Sequence, residues 1–217
     1  MRNKIFDYSF IGFGLVIQVV TYLLMPHDSW LSLLSGCLGI FSVCLAAQGN
    51  ILNFVFGFAQ VITYTYLCLT QRFYAEVGIN AYYFVTMIYG VVVWKRRLTK
   101  KEDAYEVTPR RVPHSILAWI IVLTAVGSFL TGWGLSAWTD DTQPYLDAFT
   151  TVPALVAQIL MILVYREHWF IWLAVDILSV VMWLRAGNYC MAAQYAFWCA
   201  NCLYGLRRWT ISLNRPV

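Results

Sequence analysis

Three stretches of this chain carry polar and aromatic side chains at helical spacing inside otherwise apolar runs. Along 51–71, Asn53, Gln60 and Tyr64 stand at i, i+7 and i+11; along 168–186, Trp172, Asp176, Ser179 and Trp183 follow i, i+4, i+7 and i+11; along 189–209, Gln194, Trp198 and Asn201 follow i, i+4 and i+7. At 3.6 residues per turn each set falls on one helix face. Such faces recognise a ligand without making bonds: amides and a carboxylate bind hydroxyls, while indole and phenol rings stack on a flat apolar group. Asp176 is the only carboxylate well inside such a run, Glu76 lying at the outer mouth. Amides in apolar runs also serve as hydrogen-bonding glue between helices, worth about 0.6–2 kcal/mol each.

Bond-making chemistry lacks its parts. A hydrolase needs a histidine beside a nucleophile, or a metal cluster. His27, His114 and His168 all lie at the ends of apolar runs and share no metal spacing. No catalytic residue, metal ligand or cofactor is therefore assigned, and an intramembrane enzyme is the alternative from another class. Cys37, Cys44, Cys68, Cys190, Cys199 and Cys202 sit within apolar runs and read as packing residues, not disulfides.

The elements that must hold these faces are membrane helices. Of 217 residues 60% are apolar and 12% charged, against about 25% charged in a soluble domain. Crossing ~30 Å of hydrocarbon takes roughly 20 apolar residues. Runs of that kind fall near 8–25, 30–48, 51–71, 78–95, 115–138, 147–165, 168–186 and 189–209, which predicts eight transmembrane helices in an all-α integral membrane protein. Trp30, Trp94, Trp138 and Trp209, near run ends, are expected in the interfacial belt.

Lysine and arginine in short loops stay on the cytoplasmic side. With the N-terminus inside, Arg2, Lys4, the basic residues of 95–111, Arg166, Arg207, Arg208 and Arg215 are cytoplasmic, and only Arg72 and Arg185 are outside. Both termini are then cytoplasmic. Because the basic cluster adjoins spans, its partner is the lipid bilayer and not nucleic acid.

A repeat appears at an offset of 115 residues: Tyr74, Tyr89, Gly90 and Trp94 recur as Tyr189, Tyr204, Gly205 and Trp209. The offset also maps 30–48 onto 147–165 and 51–71 onto 168–186. The expected organisation is an N-terminal helix (1–29), a first three-helix repeat (30–98), a basic loop with a linker helix (99–139), and a second repeat with a tail (140–217). This is a 3+1+3 core of two parallel repeats, an architecture that binds substrate near the midplane between halves. At the same offset Gln194, Trp198 and Asn201 correspond to Ile79, Tyr83 and Thr86, so polarity is concentrated in the second half and Tyr83 joins the candidate substrate-binding residues.

The run WFIWLAVDILSVVMWLRAGNYCMAAQYAFWCANCLYGLRRW, with NILNFVFGFAQ and YYFVTMIYGVVVW, resembles the bacterial PnuC-type vitamin transporters over roughly 30–213. The resemblance implies uptake of nicotinamide riboside by facilitated diffusion at the bacterial inner membrane, with the product trapped by a cytoplasmic kinase. It also implies a homotrimer and a SWEET-like fold, and relatives that carry other vitamins such as thiamine. The first span departs from the pattern, since not all members have one. A flat cationic ring on a polar sugar suits the aromatic and amide faces, and the spans offer no buried arginine or lysine for a phosphate.

Overall fold

The computed structural model describes residues 4–24, 29–70, 72, 74–101, 104–140, 143–185 and 187–214. Among them run eight helices: α1 (Lys4–Leu24), α2 (Trp30–Ala47), α3 (Asn53–Thr70), α4 (Tyr74–Lys95), α5 (His114–Trp138), α6 (Pro144–Ile162), α7 (His168–Arg185) and α8 (Tyr189–Leu213). His27, Arg2 and Arg215 lie outside the described residues. Six of the eight helices are long and apolar enough to cross a membrane, and α3 and α8 are not. The cause is local composition: α3 carries Asn53, Gln60, Thr63 and Thr65, and α8 carries Gln194, Asn201, Arg207 and Arg208.

Caps set several boundaries. The Ser29 hydroxyl accepts from the Ser32 amide at 3.2 Å to start α2, and the Asn188 side chain accepts from the Met191 amide at 3.0 Å to start α8. Proline opens α6 at Pro144, where its missing N–H costs nothing.

The chain divides into two compact units, Met1–Thr108 and Pro109–Val217. Within the first, α1 packs on α2, α2 on α3 and α3 on α4; within the second, α5 packs on α6, α6 on α7 and α7 on α8. Thus α1 precedes three packed helices in its unit as α5 does in the other.

The 115-residue offset reaches into the backbone of the turns. After α2, Gly49 takes φ 68°, and after α6, Val164 takes φ 64°. The Asn50 amide donates to the Leu45 carbonyl at 2.9 Å, and the Tyr165 amide to the Leu160 carbonyl at 2.8 Å. The next helix starts alike in both: Asn53 Nδ2 donates to the Asn50 carbonyl at 2.7 Å, and His168 Nδ1 to the Tyr165 carbonyl at 2.6 Å. Further on, Arg72 (φ 62°) matches Gly187 (φ 73°) before α4 and α8. Left-handed backbone is ordinary for glycine but costs a β-branched residue such as Val164 about 1–2 kcal/mol.

The basic segment after α4, expected to be a loop, contains an antiparallel hairpin of β1 (Leu98–Lys101) and β2 (Ala104–Val107). It is fastened to its own unit where the Val107 amide donates to the Gly49 carbonyl at 2.9 Å. In the second unit Arg110 does the corresponding work. Its amide donates to the Val164 carbonyl and its carbonyl accepts from the Arg166 amide, both at 3.0 Å. Its Nε donates to the Leu163 carbonyl at 3.0 Å, and its guanidinium lies 4.4 Å over the Tyr165 ring. The buried Glu167 carboxylate completes this clasp, accepting from the Val112 amide at 3.0 Å and pairing with Arg166 at 3.3 Å. These bonds hold the left-handed turn from which α7 starts.

Two of the four tryptophans assigned to the interfacial belt are core residues. Trp94 and Trp209 are 0% and 2% exposed, packed edge-on against Phe54 at 5.2 Å and Trp169 at 5.8 Å, positions again 115 apart. Trp30 and Trp138 are exposed. The difference is the facing helix: Trp94 and Trp209 each lie against an aromatic at the start of the preceding helix, whereas the Trp138 ring meets Trp133 of its own helix.

Candidate functional site: the α7–α8 seam

On α7 the outward positions are Phe170, Ala174, Ile177, Val181, Leu184 and Arg185, and none of Trp172, Asp176, Ser179 and Trp183 is among them. On α8 the outward positions are Tyr189, Ala193, Ala196, Ala200, Leu203, Arg207 and Ile211, while Gln194 and Trp198 are half-buried and Asn201 is buried. Both polar stripes therefore face away from the apolar surface, as burying a polar group demands.

Only three residues separate the end of α7 from the start of α8, so the two helices run antiparallel. Two contacts set their register. Near one end the Trp169 ring seats beside Gly205, where a Cβ would meet ring atoms at 2.5–2.7 Å. In the middle, the Cys202 thiol donates to Asp176 Oδ2 at 3.3 Å. Counting from that bond at 1.5 Å per residue, Trp183 lies about 10 Å along α7. That brings it level with Tyr195, between Gln194 and Trp198. The Trp198 ring itself leans on Tyr195, with centroids 5.8 Å apart. The buried indole Nε1 atoms of Trp183 and Trp198 have no hydrogen-bond partner among the described residues. By this count the two indoles and the Gln194 amide fall within about one helical turn of one another along the seam, and neither stripe holds an arginine or lysine.

Asp176 is 3% exposed and turned to Cys202. The sequence marked its carboxylate as a ligand group and the cysteines as packing; the partner it missed is Cys202. The available signal was spacing, because Cys202 faces position 176 once the Trp169–Trp209 contact is matched. A second missed polar residue is Gln158, buried on α6 and the only amide within that helix.

The first-unit candidates are more dispersed. Asn53 is buried at the start of α3 and bonds to the turn behind it. Gln60 is half-buried, its Cγ 3.7 Å from where a Gly39 Cβ would stand on α2. Tyr83 is half-buried on α4 with its ring 5.7 Å from Tyr82. Tyr64 is 37% exposed, so the α3 stripe turns outward at its far end. Among the described residues no group of three or more His, Cys, Asp or Glu is arranged to hold a metal.

Six apolar helices of membrane-crossing length, with amide and indole stripes turned inward on α7 and α8, define a helical membrane protein. The model of the nicotinamide mononucleotide transporter family matches residues 29–211. The chain belongs to this family. It is 32% identical over 215 residues to the nicotinamide riboside transporter PnuC of Haemophilus influenzae, covering 98% of this chain and 92% of that one. It is 30% identical to the protein of the same name from Neisseria mucosa, covering 92% of this chain and 78% of that one. Among solved structures, the crystal structure of the vitamin B3 transporter PnuC matches with a TM-score of 0.82 at 28% identity, covering 99% of this chain and 94% of that chain.

Proposed function

We propose that this chain carries nicotinamide riboside across the bacterial inner membrane by facilitated diffusion. The observation that carries the reading is the pair of indole N–H groups of Trp183 and Trp198, without acceptors among the described residues and level with the Gln194 amide. A nicotinamide ring is flat and cationic, suited to indole faces, and its carboxamide and ribose supply acceptors and donors. The names of the relatives support the same solute.

In this reading all eight helices span, α3 and α8 being tolerated because their amides Asn53, Gln60, Gln194 and Asn201 are buried or half-buried. Both termini are cytoplasmic, the core is a SWEET-like 3+1+3 arrangement with α1 added, and the working form is a homotrimer. No cofactor is used and no covalent chemistry is performed.

The family description names a mononucleotide, and the distinction is physical. A phosphate taken from water needs a cation or several converging donors, and the α7 and α8 stripes contain no basic residue. Titration of the purified protein should therefore show the riboside binding at least about tenfold, or ~1.4 kcal/mol, better than its 5′-phosphate. Equal curves would defeat the assignment, and tighter binding of thiamine would move it to another vitamin on the same scaffold.

Transport should be downhill. A driven carrier needs an ion site whose affinity depends on substrate, normally a carboxylate or converging oxygens. The one carboxylate of the stripes, Asp176, is already engaged by Cys202. In sealed vesicles uptake should stop at equal concentrations, and a proton or sodium gradient should leave that level unchanged. Accumulation abolished by Asp176→Asn would make Asp176 a coupling site instead.

A further inference from the structure

We infer that Cys202 is a positioning residue for solute binding: its hydrogen bond to Asp176 holds the α7 stripe in register with the α8 stripe. The inference rests on the α7–α8 seam being the solute site. Both residues are nearly inaccessible, at 4% and 3%, and each comes from one of the two helices carrying the stripes. Among the described residues the thiol is the one side-chain donor reaching the carboxylate, at 3.3 Å. A carboxylate does not stay in such a place for packing, since an apolar side chain would be cheaper to bury.

What the bond does is geometric. Helix faces packed through small and apolar side chains can slide or rotate, and a shift of one residue moves a side chain ~1.5 Å along the axis and ~100° around it. Trp169 against Gly205 fixes the end of the seam near the Glu167 clasp. Between that end and Gly187, the Asp176–Cys202 pair is the one polar side-chain link across the two helices among the described residues. Trp183 lies two turns beyond it and depends on it to come level with Gln194 and Trp198. Ser179, one turn from Asp176 on the same face, gives no second link, because its hydroxyl donates to the Val175 carbonyl of its own helix at 2.9 Å.

The test is a set of nicotinamide riboside titrations by calorimetry on the full chain in detergent, with thermal unfolding measured on each protein. Cys202→Ala removes the donor and should weaken binding about tenfold. Cys202→Ser restores a donor of similar size and should bind within about twofold of the parent. The Cys202→Ala, Asp176→Ala double variant should bind no more weakly than the weaker single variant, because the first removes the donor and the second the acceptor of one link. Parent-like binding by Cys202→Ala, or Cys202→Ser binding no better than Cys202→Ala at matched unfolding temperature, overturns the inference. Should Cys202→Ala fail to fold, the comparison of Cys202→Ser with Asp176→Ala, which removes the acceptor, decides: a weakened Ser variant sinks the idea. If the parent binds thiamine and not the riboside, the substrate reading fails alone, and the same variants titrated with thiamine still test the positioning role.

Discussion

Glu167→Ala should lower the thermal unfolding midpoint of the purified protein by about 10 °C, the largest stability loss expected from one surface-distant side chain. Glu167 is 5% exposed and satisfies two groups at once: the Val112 amide at 3.0 Å and the Arg166 guanidinium at 3.3 Å. Its removal leaves a buried N–H without an acceptor and a cation without its counter-charge. Arg166 Nε already lacks a partner among the described residues, so nothing on hand replaces the carboxylate. Breaking a buried pair costs about 3–5 kcal/mol, and the lower figure applies because the Arg166 side chain is 19% exposed. For a chain of this length each kcal/mol moves the midpoint by roughly 2–4 °C. Glu167→Gln keeps an acceptor for Val112 and loses only the charge, so its midpoint should fall by less than half as much. Equal midpoints for the two variants would mean that the charge alone matters and that the clasp on Val112 contributes nothing. Loss of the clasp also frees the Val164 turn, which has no glycine to make its left-handed backbone easy.

That turn shows where sequence reasoning reaches and where it stops. The runs of apolar residues announce helices because a bilayer leaves the backbone no other way to satisfy its own hydrogen bonds, and the stripes on α7 and α8 follow from a 3.6-residue period. A left-handed valine is announced by nothing local, since valine is among the residues least suited to it; only its position 115 residues after Gly49 points there. The hairpin at 98–107 was illegible for a related reason. Its strands are four residues each, one of them half lysine, and what fastens it is Gly49, far back along the chain. Trp94 and Trp209 were misplaced because a tryptophan at a helix end suits a lipid interface or an aromatic partner equally well, and the partner lies on another helix. Asp176 was legible as an exceptional residue, but its engagement by a thiol was not, because cysteine in an apolar run looks like any small hydrophobe.

Removal of both indoles at the seam should have the largest effect on binding. Trp183 and Trp198 approach one level from facing helices, and each offers a ring face and an N–H without an acceptor among the described residues. A cationic ring over an indole gains about 0.5–2 kcal/mol, so either Trp→Ala substitution should weaken nicotinamide riboside binding by roughly 3–30-fold. The Trp183→Ala, Trp198→Ala double variant should lose more than about 100-fold, with residual affinity from Gln194 and its neighbours. The cationic contribution separates from simple packing by comparing the riboside with benzamide riboside, whose ring has the same shape and no charge. The parent should prefer the cation by about tenfold, and each Trp→Ala change should narrow that preference while Trp→Phe, which keeps a ring face and loses the N–H, should largely retain it. If both ligands lose the same affinity in every variant, the indoles act by shape and burial alone. If neither ligand responds to the double substitution, the solute does not sit at the α7–α8 seam, and the candidates of the first unit, Gln60 and Tyr83 foremost, become the residues to substitute next.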